Sequence, residues 1–196
     1  MKRILLMLSL LLIMSCAGTA PPQDGSNAET FISKNFSREN HDRLIILPIQ
    51  RYGKGVVKEF EYDYSISDKY SLEFMKLNFT ILDRGQLNLM LNEKALDMAG
   101  FINQGDFRDL KELFNADMVL VGSSEVEWIP PRTLNFNGME SPQRGFYDLK
   151  SSSIRIIDTQ TSEVLITSQT NNWYGSASTE IMLSIKSKLA EKGLLD

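Results

Sequence analysis

Few side chains in this sequence can do covalent or acid–base chemistry, and those few stand apart. It has one Cys, Cys16, and one His, His41. A nucleophilic Ser needs a base within hydrogen-bond reach, most often an imidazole held by a third group. No G-x-S-x-G elbow is present, and His41 falls between Asn40 and Asp42 in a polar stretch, where it reads as a solvated linker residue. With no second His or Cys beside it, it offers no metal ligand set. Gly53-x-Gly55 lacks the third glycine and the long following helix of a dinucleotide site, and no G-x-x-x-x-G-K-[ST] occurs. One carboxylate pair remains. Glu125 and Glu127, two apart on an extended segment, project from one face and could serve as acid and base in a glycosidase-like cleft, or lie solvated along a strand edge. The strand edge is the better reading, as it is for Glu59, Glu61 and Asp63. No catalytic residue, metal or cofactor is therefore expected, and the chain reads as a non-enzyme. A formal charge of −4 gives no basic footprint for phosphates, which argues against nucleic acid as a partner.

The cysteine has chemistry of another kind. Met1-Lys2-Arg3 is followed by an apolar run from Ile4 to Met14, broken only by Ser9, and then by Ser15-Cys16. A charged start and a short apolar stretch form an export signal, too short to span a bilayer as a mature helix of ~20 residues. Ile13-Met14-Ser15-Cys16 resembles the bacterial lipobox. That resemblance implies cleavage after residue 15, a diacylglycerol on the Cys16 sulfur and an acylated amino group. Each buried methylene contributes about 0.8 kcal/mol, so two or three chains anchor a protein stably. Ala17 rather than Asp after the Cys favours the outer membrane under the enteric sorting rule. Loss of Lys2 and Arg3 takes the charge from −4 to −6.

Residues 16–42 then read as the acylated Cys and a flexible tether, with Pro21-Pro22 and only Phe31, Ile32 and Phe36 as large apolar residues. Such composition cannot offset chain entropy. A coil of ~26 residues spans on the order of 28 Å. Residues 43–196 form one domain, for which length leaves room for a single core. Leu44–Leu47, closed by Pro48, reads as a buried strand; Glu59–Tyr64 as a half-buried one with Phe60, Tyr62 and Tyr64 on one face. Ile66, Tyr70, Phe74 and Leu77 recur at helical spacing behind Ser67 or Asp68 as N-cap. Phe79–Leu82 is a short strand. Leu87, Met90, Leu91, Ala95 and Met98 line a helix that Gly100 ends, and Phe107, Leu110, Leu113 and Phe114 a second opened by Asp106. Met118–Gly122, apolar on both faces, is a central strand that runs on to Trp128. Ser152–Ile157 and Val164–Ser168 make a hairpin, and Ile181, Ile185 and Leu189 a last helix stopped by Gly193. The fold class is α/β, a mixed sheet with helices on both faces.

Phe79–Ala95 is a strand ending in Asp83-Arg84, then a helix with Gln86-Leu87 and Leu91-Asn92-Glu93. Here the chain resembles the CsgG family, typified by the curli secretion channel. The resemblance continues through Asn115-Ala116-Asp117 and Met118–Gly122, and through Ile154–Asp158 with Thr161-Ser162-Glu163, covering roughly residues 44–193. It implies a CsgG-like domain in which Asp83, Arg84, Glu93, Asp117, Gly122, Asp158 and Glu163 support the fold. Ser162 stands where the family has Gly at positive φ, at a cost of about a kcal/mol. Channel members carry two membrane-crossing hairpins per subunit, whereas here the interval 129–147 holds Pro130, Pro131 and Pro142 and supplies at most a stub hairpin on Asn137-Gly138. Spanning is not expected on that count.

These features predict an outer-membrane-anchored lipoprotein, facing the periplasm, that acts by protein contact in assembly or regulation of an envelope machine. A curli-type oligomeric channel subunit is the alternative. A third is a penicillin-binding protein activator of the LpoB type, which also has a lipobox, tether and this domain. Trp128, Leu134, Phe136, Met139 and Phe146 are the expected partner anchors, because aromatic side chains on a long loop dominate interface energy. The partner is a protein of the envelope, with homo-oligomerisation as a further option.

Overall fold

Leu44–Leu47 and Met118–Val121 are apolar at successive positions, as strands covered on both faces require. The computed structural model describes residues 27–54, 61–83, 85, 87–89, 107–136, 139–171 and 177–195. In chain order they form β1 (Glu29–Ile32), β2 (Arg43–Ile46), β3 (Ile49–Tyr52), β4 (Glu61–Asp63), α1 (Tyr64–Lys76), β5 (Thr80–Leu82), α2 (Arg108–Phe114), β6 (Met118–Ile129), β7 (Arg132–Phe136), β8 (Met139–Gln143), β9 (Phe146–Asp158), β10 (Val164–Thr170) and α3 (Ala177–Glu191). Residues 85 and 87–89 are also helical. The main sheet has the order β1-β10-β9-β6-β2-β5, with β3 against β6 and β4 against β3. β2 runs parallel to β5 and β6, and β9 antiparallel to β6 and β10, so the sheet is mixed. β2 and β3 follow one line along β6, at Met118–Leu120 and then Ser123–Glu125, parted at Leu47-Pro48 where proline has no N–H to give.

Helices cover both faces. On one, Leu44, Ile46, Leu120, Ile154, Ile156 and Ile166 meet Tyr70 and Phe74 of α1 and Ile181, Ile185 and Leu189 of α3. On the other, Ile45, Leu47, Val119 and Val121 meet Leu87, Phe107 and Leu110. Gly122 of β6 makes room for its neighbours in the sheet: a Cβ there would sit 2.7 Å from Ile49 Cδ1 of β3 and 2.9 Å from Ile154 Cγ2 of β9. At the end of α3, Gly193 takes φ +66° and Leu194 N–H donates to Leu189 O at 2.9 Å, the closure a glycine stop permits.

The structure corrects the sequence reading at several points. Residues 29–42 belong to the domain and not to a tether. β1 pairs with β10 from Glu29↔Gln169 to Ile32↔Ile166, and Ile32 and Phe36 are buried in the main core. Three apolar residues cannot make a core, but Ile32 and Phe36 add to one already built, and β1 takes its ladder from the edge of β10, while Phe31 stays exposed. The strand at Glu61–Asp63 is short, and Tyr64 opens α1 instead of extending it. The cap of α1 is Asp63, whose carboxylate accepts from Ile66 N–H at 3.1 Å, and neither Ser67 nor Asp68. Ser67 instead lies inside, accepting from Ile49 N–H and donating to Leu47 O. Leu113 is exposed, so α2 buries Leu110 but not the whole expected stripe. Met90, Leu91, Ala95, Met98, Gly100 and Asp106 lie outside the described residues.

Candidate interaction surface

β6 and β9 stay paired well beyond the rest of the sheet. β3 leaves β6 at Tyr52↔Glu125 and β10 ends at Thr170↔Ser152, but β6 and β9 continue to Ile129↔Phe146. From Val126 outward they form a two-stranded ribbon. β7 and β8 form a second antiparallel pair beyond it, Arg132↔Gln143 to Phe136↔Met139. Most of the interval 129–147 is thus paired strand, Arg132–Phe136 against Met139–Gln143, and not a loop. Proline is tolerated because each strand of a two-stranded ribbon is an edge, and Pro142 stands opposite Thr133.

The ribbon's base is fixed by close backbone approach. Gly53 has φ +131°, and a Cβ on it would lie 2.0 Å from Val126 O, so only glycine fits the turn that lets Trp128 N–H reach Lys54 O at 2.9 Å. Trp128 remains 38% exposed, while its ring lies against Gly145, where a Cβ would sit 2.4 Å from Trp128 Cζ2. Of the expected anchors, Trp128↔Tyr147, Leu134↔Ser141 and Phe136↔Met139 share the ribbon, so the fold brings Trp128, Leu134, Phe136 and Met139 onto one element. Phe146 pairs with Ile129, the register position next to Trp128, and successive positions alternate between faces.

Glu125 and Glu127 flank buried Val126 on this ribbon, beside a register shift that leaves Lys150 as the extra residue. Glu127 pairs with Lys150 at 3.2 Å and Lys54 at 3.7 Å, and Ser151 Oγ donates to Glu125 at 3.3 Å. Hydrogen bonds to Asp148, at 2.8 Å, and to Glu127 raise the Lys150 ammonium above its ordinary value. Both carboxylates are thus engaged by neighbouring side chains of the ribbon and its base.

The acids named by motif hold loops together. Asp117 accepts from Lys111 Nζ at 2.5 Å and from Arg43 N–H at 3.0 Å; burial opposes its ionisation, but these donors outweigh it and hold the carboxyl below the usual range. Asp158 accepts from Thr161 N–H at 2.6 Å and Gln160 N–H at 2.8 Å, with the same balance and outcome. Glu163 takes hydrogen bonds from Asn35 and Ser33, each at 2.9 Å, which lower its pKa. Asp83 accepts from Gly85 N–H at 2.8 Å. Ser162 has φ 59°, the conformation that makes Gly the easier choice. Arg84, Glu93 and Cys16 lie outside the described residues. His41 is the residue that the sequence reading misplaced. It is buried, 3.2 Å from Asp158 through Nε2, stacked on Phe36, and accepts from Ser37 N–H at Nδ1. Its partner stands 117 positions away, so no local signal could have revealed the contact.

No family model matches the chain and no curated protein does, so the resemblance to the CsgG family rests on its motifs alone. Among solved structures the chain is similar to lipoprotein GNA1162 from Neisseria meningitidis, at 10% identity over 78% of this chain and 96% of that one, with a TM-score of 0.46. It is also similar to the LpoB C-terminal domain from Salmonella enterica, at 12% identity over 70% and 84%, TM-score 0.47. A third is a DUF4136 family protein from Bacteroides thetaiotaomicron, at 12% identity over 86% and 96%, TM-score 0.44.

Proposed function

We propose that this chain is a lipid-anchored, non-enzymatic envelope protein that works by protein contact. Acylated Cys16 holds the domain at the periplasmic face of the outer membrane, and the ribbon from Val126 to Leu149 meets a protein partner in the assembly or regulation of an envelope machine. A peptidoglycan synthase is one candidate for that partner. The observation that carries the reading is the ribbon itself. A hairpin that outruns its sheet contributes little to the core, yet it is built with a glycine-fitted base and an aromatic residue left more than a third exposed. Exposed aromatic side chains on rigid elements are the usual source of binding energy at protein interfaces.

The test replaces residues 134–139 with Gly and Ser in the mature protein and compares cross-linked capture of envelope proteins with that of the wild type. Loss of a specific captured band at nearly unchanged melting temperature is expected. Intact capture with a large fall in melting temperature would show that the ribbon serves its own domain instead.

A further inference from the structure

α1 and α3 lie side by side over the sheet and bury Tyr70, Phe74, Ile181 and Ile185 beneath them. Their outer side mixes exposed polar residues, Asp68, Lys69, Lys76, Thr179 and Lys186 among them, with large apolar ones. Leu72 is 52% exposed, Met75 51% and Leu183 44%. An open groove between the helices, with cavities of about 270 Å³ and 150 Å³, has Met182 in its lining. Lys69 and Lys186 also line it, exposed, with Lys192 at the end of α3. Among the described residues none of these three lysines has an acidic partner, while Glu73 is taken by Lys76 at 2.5 Å. Exposed apolar side chains among unpaired lysines, on a chain whose net charge is −4, form the pattern that binds an anionic interface.

The point where the chain enters the domain agrees with this. Ser184 Oγ of α3 donates to Ala28 O at 3.0 Å, so residue 28 lies against the same helix that carries Leu183 and Lys186. Residues 17–26 can reach at most about 35 Å when extended. A domain on so short a leash can lie with its helical layer against the surface that holds it.

We propose that the outer face of α1 and α3 docks on an anionic lipid surface. Leu72, Met75 and Leu183 enter the boundary between headgroups and acyl chains, and Lys69, Lys186 and Lys192 meet lipid phosphates. The proposal takes only the length of the leash from the reading of Cys16 as an anchor. The mature chain, coupled by its single cysteine to a maleimide lipid, is placed on vesicles of phosphatidylcholine with roughly 30 mol% phosphatidylglycerol, or on phosphatidylcholine alone. Hydroxyl-radical oxidation of Met75 is then timed. About fivefold slower oxidation on the anionic vesicles is expected, the protection that about one lysine's worth of attraction supplies. Lys69→Glu combined with Lys186→Glu, both exposed and hence without effect on folding, restores the rate seen on phosphatidylcholine. Equal rates on the two vesicles would overturn the proposal. So would protection that persists on phosphatidylcholine and rises with protein density, which would mark a second copy as the occupant. Chemical coupling stands in for acylation, so the outcome is separate from whether a cell acylates Cys16.

Discussion

Phe36→Ala tests directly whether residues 29–42 are tether or core. Phe36 is 5% exposed, belongs to the cluster that includes Ile32, Leu44 and Phe79, and stacks on His41 with ring centroids 5.5 Å apart and an interplanar angle of 14°. Removing a buried Phe side chain costs about 3–5 kcal/mol, through the lost transfer energy and the cavity left behind. Here the cost falls near the lower end, about 3 kcal/mol, because the segment is an edge that can close over part of the space. At about 2–4 °C per kcal/mol for a domain of this size, the melting temperature should fall by roughly 10 °C. Urea unfolding of the mature protein, followed by far-UV circular dichroism, should show a lower midpoint with an unchanged m-value. A tether residue would give no change. A loss below about 0.5 kcal/mol, within the range of ordinary surface substitutions, would therefore refute the assignment of residues 29–42 to the core.

Asp63, Asp117 and Asp158 all have folded pKa values held below the ordinary carboxylate value. Their contribution is complete above the unfolded value of about 3.9 and is lost as pH falls through the folded values. Stability should thus be level from pH 7 to about 5 and fall below about 4, and Asp117→Asn should flatten that fall in acid titrations of the urea midpoint. Gly53→Ala should cost several kcal/mol, since φ +131° and a contact of 2.0 Å with Val126 O leave no room, and hydrogen exchange at Trp128 N–H should quicken with it. Cys16→Ser should abolish labelling by a palmitate analogue in growing cells, and equal labelling of wild type and mutant would end the lipoprotein reading.

The central strands were legible because burial on two faces leaves its mark on consecutive residues. Leu44–Leu47 and Met118–Val121 could hardly be anything else, and Asp158–Ser162 declared its turn by composition. β1 was not legible. A strand of four residues at a sheet edge needs only one buried side chain, here Ile32, and the sequence around it is polar enough to pass for linker. His41 was hidden for a related reason, since its contact with Asp158 depends on where β1 carries the following residues. The candidate site was half legible: Trp128, Leu134, Phe136 and Met139 were picked for aromatic and apolar character, but Pro130, Pro131 and Pro142 suggested a loop. Proline breaks ladders in the interior of a sheet, and the rule loses force on a ribbon whose strands both have a free side.

That ribbon also bears on whether the chain could line a pore. Its legs, residues 126–136 and 139–149, reach about 36 Å at roughly 3.3 Å per residue, which matches the 9–11 residues or so that a membrane-crossing strand requires. The shortness argued from residues 129–147 alone therefore does not hold once the extensions of β6 and β9 are counted. The obstacles are chemical. The two ladders part between Ile129↔Phe146 and Arg132↔Gln143, at Pro130-Pro131, and each backbone group left unpaired in hydrocarbon costs several kcal/mol. Glu127 stands opposite Asp148 in register, and these acids are shared with Lys150 and Lys54. Such a charge cluster is cheap to keep in water and costly to carry into lipid. Val126 is already buried against its own domain, so the inner end of the ribbon could not be turned outward without opening the core. A ribbon fixed at its base by the Gly53 turn, with its charge cluster and Trp128 beside that base, suits contact with a folded partner in water better than passage through a bilayer.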